Sequence, residues 1–146
     1  MPLQRERPIL NALDAQIDAM EAAYEFLLAY AAQGREDDNA GALTSRETAA
    51  NIAADSSAGA AKNAADQLTQ LDQALAAIAE LLDSNVAFCQ VVGDDISKTR
   101  KALALIRSAP RISSELIDNL NASAHLKAVL TDLFLISEFN RIAADP

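Results

Sequence analysis

Apolar residues in this chain recur in steps of three and four, the spacing of one face of an α-helix. The first seam is Leu10, Leu13, Ile17, Met20, Tyr24, Leu27 and Ala31, widened late by Phe26 and Tyr30. Pro8 fits the first turn of a helix, where its missing N–H does no harm. Gly34 is placed to stop the helix. The spacing predicts a helix over 8–33. Residues 34–43 are polar and contain Gly34 and Gly41, so they read as a loop.

Thr44 followed by Glu47 matches a capping box and starts a second helix. Its strong seam is Leu68, Leu71, Leu75, Ile78 and Leu82. The same rhythm runs back through Ala64, Ala61, Ser57, Ala54 and Ala50. One phase throughout predicts one long helix over 44–83, with Ser56, Ser57 and Gly59 marking where it would break. The Ala-rich part has good helix propensity but little side-chain area to bury.

Asp83, Ser84 and Asn85 offer N-cap groups for a third helix over 85–108. Phe88, Val92, Ile96, Leu103 and Ile106 supply its face, Gly93-Asp94-Asp95 loosens its middle, and Pro110 ends it. A fourth helix is predicted over 111–144. Its stripe opens with Ile112, Leu116 and Leu120, and Asn119, Asn121 and Ser123 interrupt it. The run from Leu126 to Ile142 then covers more than one face, as in a helix buried on several sides. The expected fold is all-α: a mostly antiparallel bundle of four main helices forming a single domain over 1–146.

Composition agrees with long helices. The chain of 146 residues is 51% apolar, with only four glycines and four prolines, so the frequent turns of an all-β sandwich are missing. A formal net charge of −9 disfavours nucleic acid and anionic membrane surfaces as partners. No segment is long and apolar enough to predict a membrane span. A lone cysteine, Cys89 in the run Val86-Ala87-Phe88-Cys89, has no partner for an intrachain disulfide and reads as a small core residue in a reducing compartment. The expected location is cytoplasmic.

Candidate chemistry is sparse. No nucleophile motif or glycine-rich phosphate loop is present, and one histidine with one cysteine cannot build the common zinc sets. No cofactor and no metal site is expected. The single histidine, His125, lies in Ser123-Ala124-His125-Leu126-Lys127. This setting on an acidic helical bundle resembles histidine phosphotransfer domains, and the resemblance implies a phosphorylated His125. Those domains usually carry a lysine three residues after the histidine and then a glycine, whereas here Lys127 is two residues on and Ala128 and Val129 fill those places. The Ala/Ser-rich stretch is similar in texture to chemoreceptor signalling rods and phasin-type proteins, without a motif.

Two charged sets stand out. Asp14, Asp18, Glu21 and Glu25 form an acidic stripe bordering the first seam. Lys98, Arg100, Lys101, Arg107 and Arg111 form a basic patch, expected to be a solvent face partly paired with that acidic stripe across the bundle or across a dimer, the alternative being capture of an acidic peptide or small anion. The excess of apolar side chains at Leu126, Leu130, Phe134, Leu135 and Phe139 predicts a surface for another chain, most simply a second copy. The expected function is a non-catalytic interaction protein: an adaptor, regulator or chaperone-like module. The alternatives are phosphotransfer through His125 and a bundle holding a small apolar ligand.

Overall fold

A computed structural model describes residues 2–33 and 63–144, with the side chains of 10–33 and 63–144. The described residues form helices and no strand: α1 Pro2–Ala32, α2 Ala64–Leu81, α3 Ala87–Arg107, α4 Ser114–Asn121 and α5 Ala124–Ala144. The all-α bundle expected from the seams is what the chain forms.

The helices α1, α2, α3 and α5 run alternately up and down. Packing is most extensive between α1 and α2, with α3 against α5 and α2 against α3 completing three sides. The short α4 packs on α1, and the direct contact between α1 and α5 is slight. One core results. Leu13, Ile17, Met20 and Leu27 of α1 meet Leu68, Leu71, Leu75 and Ile78 of α2. Val92, Ile96 and Leu103 of α3 join Leu126, Val129 and Leu133 of α5 in the same cluster.

Several expectations need adjusting. α1 starts at Pro2, so Pro8 lies in the second turn of the helix, not the first, where its ring removes one backbone hydrogen bond. The helix expected over 44–83 does not continue through Asn63, which is extended and caps α2 by accepting from Asp66 N at 2.8 Å. The expected loop at 34–43, the capping box at Thr44 and the Ala-rich stretch to 62, including Gly59, lie outside the described residues. Asp83, Ser84 and Asn85 do not cap α3. They build the preceding turn, in which Asn85 N donates to Asp83 Oδ1, and Val86 takes the N-cap position. α3 passes unbroken through Gly93, and a Cβ there would meet nothing within 4 Å.

The helix expected over 111–144 is two helices. Ser113 Oγ accepts from Leu116 N and starts α4. Ala122 ends it, and Ser123 Oγ accepts from His125 N as α5 begins. The buried Asn121 turns its amide onto Leu27 O of α1 at 3.1 Å, which draws α4 across the bundle. Tyr30 Oη donates to Ile112 O at 2.9 Å at the same end, and Phe26 stacks beside Tyr30. This is the closed end. The tie also explains why Ala23 and Tyr30 are buried while Tyr24 and Ala31 are only half-buried: the second half of α1 faces α4 as well as α2.

Candidate functional site

At the other end, α1 passes at Leu10 and Leu13, α2 finishes, α3 begins and α5 finishes. Their side chains surround an open groove of about 800 Å³. Leu13 and Ile136 form its buried floor. Leu10, Leu81, Leu82, Phe88 and Cys89 are half-buried along its walls. Leu135, Phe139 and Val86 stand exposed at its edge, with Asn140, Ala143 and Ala144 continuing the α5 wall. Asp83 is the one charged side chain in the lining. Cys89 is thus a half-buried groove residue packed against the core, not one of the buried core residues as expected; it lies in the first turn of α3, and no described element closes over it.

The apolar excess of α5 divides by helical angle. Leu126 and Leu130 are buried in the chain's own core, so they are not part of a surface for a partner. They lie on the same side as Leu133, which faces α3 and the core. Leu135, Phe139 and Ile142 are 57%, 66% and 61% exposed and fall within one narrow sector of the helix, nearly opposite Leu133. They form a second stripe that no other element covers among the described residues. Phe134 is 48% exposed but points about 100° away from Leu135. It opens instead on a cleft of about 450 Å³ between α1 and α5, with Asp14, Asp18, Glu21 and Glu138 around it. Ser137 Oγ donates to Asp14 Oδ1 there at 3.2 Å. Burial first, then the charges of Asp18 and Glu25, raise the Glu21 carboxyl above its ordinary range. Arg141 holds the exposed Glu138 carboxyl below its ordinary range through a hydrogen bond.

The basic patch is a solvent face with a partner. Arg100 Nε donates to Asp72 Oδ1 of α2 at 2.8 Å, and Arg107 Nη1 lies 3.6 Å from Asp72 Oδ2. The pairing crosses to α2, not to the acidic stripe of α1. Lys98 and Lys101 are exposed beside it, and Arg111 is exposed in the connection to α4. His125 is exposed on the first turn of α5. Lys127 is also exposed, and two residues along a helix set it about 200° round from the histidine.

One acid-to-acid contact joins α3 to α5. Asp132 Oδ2 is buried with no hydrogen-bond partner, and its other contact is with Asp95. That contact is acid to acid, so it is a hydrogen bond only when one carboxyl holds a proton. Burial first, then the bond with Asp95 and its like charge, push Asp132 up to about 6. Among the described residues no group of three or more His, Cys, Asp or Glu side chains is placed to hold a metal ion, and no helix is long and apolar enough to cross a membrane.

The alternative of a bundle holding a small apolar ligand names no residues for such a site, and the sequence does not place this groove. Its only local signal is that Leu81, Leu82, Val86 and Phe88 crowd both sides of a turn, more apolar residues than the two seams need. The chain matches no known family, no curated protein and no solved structure.

Proposed function

We propose that the chain is a non-catalytic interaction module, an adaptor, regulator or chaperone-like bundle, working through the outer face of α5. One observation carries the reading: α5 has two apolar stripes, and the one formed by Leu135, Phe139 and Ile142 is exposed. Large apolar side chains gathered in one patch favour association, since burying them removes apolar area from water. A second copy is the simplest occupant, because a two-fold pairing asks one stripe to complement only itself. Sedimentation velocity at micromolar concentration tests this. The wild-type chain is expected to be dimeric, and Phe139→Glu with Ile142→Glu is expected to be a folded monomer. A wild-type chain that stays monomeric would sink the second copy as occupant.

A second reading, phosphotransfer through His125, is favoured by the exposure of that side chain. Incubation with a small phosphodonor tests it: uptake lost in His125→Ala supports it, and no uptake by the wild type ends it.

A further inference from the structure

The groove at the open end shares Leu135 and Phe139 with the α5 stripe but adds walls from α1, α2 and α3 and the charge of Asp83. We propose that it is a binding site for a cationic amphiphile, a molecule with an aliphatic body and an amine or quaternary ammonium head. Its volume of about 800 Å³ lies within the range of small-molecule sites, about 300–1,000 Å³. The site is elongated, since α5 advances about 14 Å from Leu135 to Ala144. Leucines, Phe88 and alanines line it, so its interior suits methylene groups.

Charge decides the head. Asp83 stands at the mouth with one oxygen accepting from Asn85 N, and it makes no ion pair among the described residues. It follows the last turn of α2, which contains no basic residue. The ends of α2 and α5 each bring a partial negative charge to this rim, and the start of α3 brings a partial positive one. Each is about half a charge, and Arg141 in the last turn of α5 is paired with Glu138, so among the described side chains Asp83 leaves the rim net negative. A carboxylate or phosphate head would be repelled there, and the chain's net charge of −9 acts in the same direction.

The test is displacement of the neutral dye Nile red from the full chain. Dodecyltrimethylammonium, dodecanol and dodecanoate are compared below their micelle concentrations, with far-UV circular dichroism confirming the fold at each point. The cationic probe is expected to displace the dye at a concentration about tenfold lower than the anionic one. Shortening its chain by one methylene should weaken binding about fourfold. Asp83→Asn should abolish the preference for the cation while leaving dodecanol unchanged, and added salt should erode that preference in the wild type. Leu82→Gln should weaken all three probes. Failure of every probe to displace the dye overturns the proposal, and so does filling of the groove by a second copy or by another part of the chain. Equal binding of cation and anion, or a preference that survives Asp83→Asn, overturns it too. The groove shares Leu135 and Phe139 with the stripe, but Asp83 and Leu82 lie off it, so sedimentation of these variants reads the dimer while dye displacement reads the groove, and the two readings fail separately.

Discussion

The two ends of the bundle handle their polar groups differently. At the closed end, Tyr30 and Asn121 each donate across elements to a backbone carbonyl, and α4 fills the space between α1 and the neighbouring helices. At the open end, Asp83 bonds only to its own turn, and three helix ends stand apart around apolar walls beside the flank of α1. Cross-element bonds fix where helices sit relative to each other, because a buried polar group that loses its partner is destabilising. No such bond fixes the open end among the described residues, and its apolar side chains stay partly in water, where burying them is favourable. The closed end therefore carries stability, and the open end keeps surface available for binding.

The sharpest way to break this comparison is truncation at each end. Leu27 is fully buried at the closed end, so Leu27→Ala is expected to lose about 3 kcal/mol in denaturant unfolding. Leu81 is only half-buried in the groove wall, so Leu81→Ala should lose about 1 kcal/mol. Equal losses would show that the ends do not differ as described.

The next effect lies on the α3–α5 seam that joins the ends. The fold raises Asp132 from an ordinary value of 3.8 to about 6, so the folded chain holds that proton more tightly than the unfolded one. The stability from this group is complete below pH 4, is lost as pH rises from about 4 to 6, and stays lost above. Asp132→Asn should therefore raise the melting temperature at pH 7.5 and flatten its dependence on pH between 4 and 6. An unchanged pH profile would remove the pair from the account.

The smallest expected effect tests the tie itself. Tyr30→Phe keeps the buried ring and deletes the hydroxyl that bonds Ile112 O. A loss of about 1 kcal/mol is expected, with faster hydrogen exchange at the start of α4. Exchange at the α2–α3 turn should not change.

The bundle was legible because seams report burial directly. Leu68, Leu71, Leu75 and Ile78 were assigned to the core by spacing alone, and all four are fully buried. Spacing works there because a helix face has one period and water excludes apolar groups from its surface. The split between α4 and α5 was only hinted at by Asn119, Asn121 and Ser123, since a polar residue in a stripe does not say which distant carbonyl it will meet. α5 shows the same limit more plainly. Its apolar excess was visible, but composition gave Leu126 and Leu130 the same standing as Leu135 and Phe139. Only the neighbours of α5 separate them: α3 covers one side, while the described residues leave the other open.

The sequence by itself determined helices, their amphipathic faces and the surplus of apolar side chains near the C-terminus, because these depend on local spacing and on burial in general. The tertiary structure decided where that surplus lies. Three helix ends and the flank of α1, far apart in the chain, leave a groove between them, and whether a leucine becomes floor, wall or edge depends on what packs beside it.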